Sequence, residues 1–390
     1  MAEHAKLSAS GSARWLSCPP SVRLESEFPE TTSPYAEEGT LAHSLGELQL
    51  RCENKEITDR QFKIRLKKLN AGGLIDNSMV EYVSSYTEYV MKTLKEHQKQ
   101  CADAVLMIEQ RLDFSKWVPE GFGTGDAVII SDGVLEIIDL KYGKGVEVSA
   151  EDNPQMRLYA LGAIETFGCL YDFDQVAMTI FQPRLDNRSS QTLPVDELID
   201  WAETYVKPKA ALAFDGKGEF LAGDHCRFCK AKAVCRARAD TNMALAKEEF
   251  KVPELLEPEE IAGYLAKAKD LVAWVEDLKT YAQDQSLNHG VHYPGMKLVE
   301  GRSNRCYIDD LQAVEDALVR QGYTEQEIYD KKILGITAME KLMGKKKFTE
   351  TLGDLVIKPK GKPTLVFEDD KRPALNTYAE AAEDFKEYTN

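Results

Sequence analysis

The period of apolar positions changes several times along the chain, and each change marks a new element. SARWLS (12–17), preceded by capping serines and broken by Cys18-Pro19-Pro20, predicts a short helix. Residues 37–52 carry apolar positions at helical spacing, and 78–99 read as a longer amphipathic helix. The period then shortens. AVLMIEQRL (104–112), GDAVIIS (125–131) and VLEIIDLKY (134–142) are short and rich in β-branched residues, which predicts three strands. NPQMRLYALGAIETFG (153–168) returns to helical spacing with Pro154 in its first turn. QVAMTIFQP (175–183) predicts a fourth strand, and 195–213 another helix. Helix, three strands, helix, strand is the order of an α/β protein with a mixed sheet flanked by helices. From about residue 255 the pattern is helical, with Ile261, Tyr264, Leu265, Ala268, Leu271, Val272, Val275 and Leu278 at i, i+3, i+4, i+7 spacing.

A chain of 390 residues exceeds one ordinary core, so a division into domains is expected at the proline- and acid-rich EFKVPELLEPEE. The expected units are 1–250, a mainly helical accessory domain over 255–367, and an acidic tail over 368–390. HYPGMKLVEGRSNRCYIDD and KGKPTLVFEDDKRPA read as irregular, turn-rich segments. Hydrophobic content of 43% and charged content of 29% describe an ordinary globular protein, and no apolar run is long enough to span a membrane. The first residues lack the layout of a secretion signal, so an intracellular, reducing location is expected. A net charge of −16 speaks against attraction of nucleic acid to the whole surface. Local excesses of Lys and Arg do occur at 205–238 and 330–363, the latter including Lys345, Lys346 and Lys347. They are either solvated faces or, with Arg302 and Arg305, phosphate contacts. No phosphate-binding loop of an ATP-driven motor is present.

Chemistry concentrates in GDAVIISDGVLEIIDLKYGKG (125–145). Asp132-Gly133 is a strong hairpin signal. A two-residue turn there pairs Ser131 with Val134, and counting back puts Asp126 opposite Asp139, with Cβ atoms roughly 5 Å apart. Thr124 and Lys141 form the next pair on that face, and Val128–Ile137 and Ile130–Leu135 continue it into the core. Facing carboxylates repel. A divalent cation removes the repulsion, and Mg2+ or Mn2+ suits a small oxygen-rich site. Lys141 beside it orients or helps deprotonate a water, or offsets charge on a phosphate. The competing reading is an exposed hairpin end with solvated charges, and a three-residue loop would undo the pairing.

At these residues the chain resembles a known family. GDAVII and IIDLKYGKG look like the motif pair of PD-(D/E)XK nucleases in the RecB-like branch. QMRLYALGA resembles that branch's helix after the lysine-bearing strand, which implies roles for Gln155 and Tyr159. EEGTLAHSLGELQL resembles its G-x-x-x-H motif, which implies His43 as a further metal ligand.

Cys52, Cys101, Cys169 and Cys306 are scattered and read as small buried hydrophobes. Cys226, Cys229 and Cys235 are clustered in C-x2-C-x5-C spacing and lack a fourth ligand. His225 is badly placed for it, being next to Cys226; Cys18 is the better candidate. One cysteine before the core and three after it resembles the iron–sulfur nucleases of the RecB-like branch, CRISPR-associated and AddB-type, which implies a 4Fe–4S cluster. A structural Zn2+ on the same thiolates is the alternative.

The resemblance implies a metal-dependent deoxyribonuclease of a phage or prophage family, in the bacterial cytoplasm. It would act as an exonuclease on single-stranded DNA ends in replication or recombination, beside a single-strand-binding or annealing protein. Asp126, Asp139, Lys141, Gln155 and Tyr159 would be its catalytic residues, with His43, Asp126 and Asp139 on the metal. The alternative is a weak or inactive nuclease-fold scaffold that binds DNA and keeps a structural cluster.

Overall fold

In the computed structural model, which describes residues 5–29, 34–246, 258–299, 310–321, 324, 328, 329 and 333–357, the sheet grows outward from the Asp132-Gly133 turn. Gly133 adopts φ +82°, a left-handed conformation that costs glycine little, so Ser131 pairs directly with Val134 and Ala127 with Ile138. The hairpin arms are β2 (Phe122–Ser131) and β3 (Gly133–Leu140). β1 (Val105–Asp113) adds antiparallel to β2, β4 (Phe173–Gln182) parallel to β3, and β5 (Asn187–Pro194) antiparallel to β4. The result is a five-stranded mixed sheet in the order β1-β2-β3-β4-β5.

Before the sheet come α1 (Ser12–Ser17), α2 (Ser21–Glu25), α3 (Pro34–Glu53), α4 (Asp59–Leu69) and α5 (Asn77–Gln100). The parallel step from β3 to β4 needs a crossover, and α6 (Pro154–Phe167) makes it. α7 (Val195–Trp201) and α8 (Lys207–Phe214) follow β5, joined by a π turn over Ala202–Val206 just ahead of Pro208, which has no N–H for the helical ladder.

Strand alternation sorts the sheet residues into two cores. Val128, Ile130, Leu135, Ile137, Met178 and Ile180 pack against α6 together with α1, α7 and α8. Ala127, Ile129, Ile138 and Leu140 pack against α5. Fully buried aliphatic side chains of this kind stabilise by about 1.5–3 kcal/mol each.

Several elements differ from the sequence reading. β3 ends at Leu140 rather than Tyr142. β5 (NRSSQTLP) is a polar edge strand whose only buried residue is Leu193, so it carries no apolar alternation to find. α4 buries nothing; a capping box starts it, with Gln61 N–H donating to Thr58 Oγ1 and Thr58 N–H donating to Gln61 Oε1. Cys52 and Cys101 are half-buried beside Asp59 and Asp103, and Cys169 is exposed, so none is the buried hydrophobe expected.

α9 (Arg236–Ala246) receives α10 (Pro258–Asn288) through the buried Arg238, paired with Asp270 at 2.8 Å and Asp277 at 2.7 Å. Trp274 Nε1–H donates to Ala233 O at 3.2 Å beside them. The apolar stripe expected to bury α10 is largely in solvent at Ile261, Leu265 and Val272. The basic excess at 205–238 is also partly neutralised, since Lys207, Lys217, Lys232 and Arg238 have carboxylate partners. α11 (Leu311–Arg320) and the helices Ile336–Met343 and Lys345–Leu352 follow. Arg302, Arg305, Cys306, the segment KPTLVFEDDKRPA and the acidic tail lie outside the described residues. No helix among the described residues is long and apolar enough to cross a membrane.

Candidate metal centre

Pairing between β2 and β3 stops at Ala127 and Ile138. Asp126, next along, does not continue the ladder with its backbone. Its Oδ2 accepts Leu140 N–H at 2.7 Å, while its Oδ1 lies 3.1 Å from His43 Nδ1 on α3. A carboxylate thus takes the place of a carbonyl where the strands part. The expected Thr124–Lys141 pair is not formed: Thr124 pairs with Arg111 of β1, and Lys141 N–H donates to Phe181 O of β4 at 2.9 Å.

The departure originates on β1. Glu109 sits at φ +50° between the Ile108–Ala127 and Gln110–Gly125 pairs, a left-handed position that costs a non-glycine residue about 1–3 kcal/mol. The strand changes face there. Leu106 and Ile108 belong to the α5 core, whereas Leu112 belongs to the α6 core. β2 changes with it, because a Cβ on Gly125 would meet Leu112 Cδ1 at 3.0 Å and one on Gly123 would meet Tyr159 Cε1 at 2.6 Å. Both strands thus turn over at the Glu109–Asp126 step while the pairing stays one to one on either side, so the kink is shared by the two strands and inserts no residue.

The left-handed backbone at Glu109 brings its side chain into the site. His43, Glu109 and Asp126 each offer a ligand atom within 4.8 Å of the others. Asp139, expected in that group, lies outside it, and Glu109 takes its place. Asp139 instead anchors a chain of contacts. Its Oδ2 is 2.8 Å from Lys141 Nζ, and its Oδ1 accepts from Gln155 Nε2 at 3.4 Å. Lys141 Nζ donates to Gln155 Oε1 at 3.0 Å, and Gln155 Nε2 donates to Tyr159 Oη at 3.0 Å. Asn153 caps α6 by accepting the Gln155 and Met156 N–H groups, which fixes where Gln155 begins.

Electrostatics follow from crowding acids in a buried place. Burial would lower the His43 pKa, but the charge and hydrogen bond of Asp126 outweigh it and raise it to about 9. Burial and then the Asp126 charge push Glu109 up to about 7. Burial works to raise Asp126 too, yet His43 and the Leu140 N–H hold it below the usual carboxylate range. Asp139 is raised, chiefly by burial, against the pull of Lys141. Burial opposes the charge on Lys141, but Asp139 more than restores it, so its pKa is raised.

Such a cluster is short of positive charge. Two buried polar atoms point the same way: Asp139 Oδ2 has no well-directed hydrogen bond, and neither has the hydroxyl of Tyr86, which feels the Asp126 and Asp139 charges. Two carboxylates and an imidazole in this setting fit a hard divalent cation such as Mg2+ or Mn2+.

The four cysteines come to one region without forming a compact set. Cys18 caps the end of α1, Cys226 lies in the turn Asp224–Phe228 with Cys229 directly after it, and Cys235 precedes α9. Arg14 donates to Phe228 O at 3.3 Å, and Glu25 accepts Lys230 N–H at 2.8 Å, so the segments are tied together. His225, set aside on spacing, hydrogen-bonds the Cys18 thiol. Among the described residues no three of these thiols lie within 4.8 Å of one another, whereas tetrahedral zinc requires sulfurs about 3.8 Å apart. The expected four-thiolate set does not converge among the described residues. Burial pushes the Cys229 thiol up to about 12, so it is protonated until a cation arrives.

A family model described as "Protein of unknown function (DUF2800)" matches residues 4–373. A solved structure described as "Crystal structure of SSO0001" aligns over 61% of this chain and 88% of its own, at 15% identity and a TM-score of 0.28, too low a likeness to carry an argument.

Proposed function

We propose that this chain, which belongs to the DUF2800 family, is a divalent-metal-dependent DNA nuclease that trims single-stranded ends. The observation that supports it best is the convergence of His43, Glu109 and Asp126 from three elements beside the Asp139–Lys141–Gln155 network. A bound Mg2+ or Mn2+ supplies Lewis acidity to a phosphate oxygen and makes a water more acidic. His43, Glu109 and Asp126 would hold it, with Asp139 alongside. Lys141 is kept charged by Asp139, so it serves as a fixed cation that offsets phosphate charge rather than as a base. Gln155 accepts from Lys141 while donating to Tyr159, which holds the ammonium in one position.

The test is digestion of end-labelled single strands with Mn2+. Asp139→Ala is expected to lose the activity of the wild type, and equal digestion by both overturns the assignment. A phage or prophage setting with a single-strand-binding or annealing partner belongs to the same proposal.

So does an iron–sulfur staple on Cys18, Cys226, Cys229 and Cys235, which would fasten α1 to the turn after the core. Purified without oxygen, the protein is expected to be brown, with about four irons per chain that are lost in Cys226→Ser. A colourless protein carrying zinc would replace the cluster by the structural metal.

A further inference from the structure

The helix Lys345–Leu352 seats against α5 and sets Lys345 on the rim of a groove of about 640 Å³ that is lined otherwise by α5 and residues 181–188. Glu81 of α5 seats the helix Lys345–Leu352: its Oε2 accepts Lys345 N–H at 2.6 Å and its Oε1 accepts Lys346 N–H at 3.4 Å. The preceding Gly344 has φ +81°, and a Cβ there would stand 2.5 Å from Glu81 Oε1, so glycine is what permits the seating. Lys341 Nζ adds an ion pair to Asp76 at 3.2 Å, and Phe348 is buried.

Two rings, Tyr82 and Phe181, and two cations, Arg188 and Lys345, line the groove, with Tyr89 stacked on Phe181 at 5.3 Å. Lys345 Nζ lies 5.5 Å from the centre of the Tyr82 ring, and Arg188 lies 5.2 Å from that of Tyr89. Among the described residues neither Lys345 nor Arg188 has a carboxylate partner, and the Glu81 charge is taken up by the helix N–H groups, leaving Asp186 as the other acid on the rim. Phe181, on the groove's wall, also touches elements of the centre. Phe181 O accepts Lys141 N–H, and the Phe181 ring also meets Tyr86 at 5.9 Å, the ring that feels Asp126 and Asp139.

We infer that this groove binds single-stranded nucleic acid, holding the stretch of strand next to the phosphate presented to the centre. The inference rests on the nuclease reading for the role of the bound strand. The Tyr82 and Phe181 rings would stack unpaired bases, and Arg188 and Lys345 would meet the phosphates between them. A duplex keeps its bases stacked on one another and has no free face to give.

The experiment is fluorescence anisotropy of a labelled oligothymidine in EDTA, where hydrolysis cannot intervene. The double variant Arg188→Ala/Lys345→Ala is expected to bind at least tenfold more weakly, with the slope of log affinity against log salt shallower by about 1.4, for two phosphate contacts. Gly344→Ala, which dislodges the helix, is expected to weaken binding in the same direction, with thermal melting as the check that the rest stays folded. Binding by the double variant within twofold of wild type overturns the groove, as does a wild type that prefers duplex or binds no single strand. Digestion by the wild type with Mn2+ reports separately. Binding that depends on Arg188 and Lys345 without any digestion upholds the groove and overturns the nuclease; digestion with unaltered binding does the reverse.

Discussion

Asp126→Asn is expected to cut Mn2+-supported digestion at least about a thousandfold, a loss of about 4 kcal/mol of transition-state stabilisation, while the chain stays folded. Asp126 does two jobs that the substitution separates. Its Oδ2 takes the Leu140 N–H where β2 and β3 part, and an amide oxygen can take the same bond. Its negative charge raises the His43 pKa and joins Glu109 and His43 in the donor group, and no amide can supply that. Melting temperature should therefore change little while activity collapses. A variant that digests within tenfold of wild type would remove Asp126 from the chemistry. A variant that unfolds would assign it to the strand junction alone.

What was legible beforehand depended on whether a local rule governed the residue. Asp132-Gly133 pins the β2–β3 register because Gly133 accepts a positive φ, so the neighbourhood of Asp126 and Asp139 could be counted out from the turn. Gln155 and Tyr159 are one helical turn apart, and they do touch. Glu109 was not legible. It reads as one polar residue in an apolar strand, and only its left-handed backbone, set by the packing of two strands, carries it to His43 and Asp126. The same kink lies where β2–β3 pairing ends, at Ala127 and Ile138, short of the Thr124–Lys141 pair that alternation alone required. The thiols show the opposite limit. Spacing picked out cysteines that lie in one region, but whether their Sγ atoms converge depends on the turn Asp224–Phe228 and on contacts such as His225 with Cys18. Trp274 escaped for a related reason: α10 is tied to α9 by its hydrogen bond to Ala233 O and by the Arg238 ion pairs with Asp270 and Asp277, contacts that periodicity does not register.

Mn2+ affinity is expected to rise about a thousandfold between pH 6 and pH 8, and the two steps of that rise identify the ligands. Glu109, held near 7, and His43, held near 9, must both shed protons to become donors. Below pH 7 two protons leave per ion bound, so affinity changes about a hundredfold per pH unit; between 7 and 9 one leaves, about tenfold per unit. Stability of the metal-free protein runs the other way. The His43 pKa is raised, so its contribution is fully present below its ordinary 6.5 and is lost as pH rises through about 9. Glu109 is an acid whose pKa is also raised, so the folded state favours its protonated form and stability declines as pH climbs from 4.5 to about 7. The bare site thus loosens over the same range in which the ion binds more tightly. Calorimetric titration with Mn2+ at pH 6, 7 and 8 checks this, and Glu109→Gln should leave only the single-proton dependence of His43. A wild-type affinity that moves less than tenfold from pH 6 to pH 8 would take both residues out of the donor set.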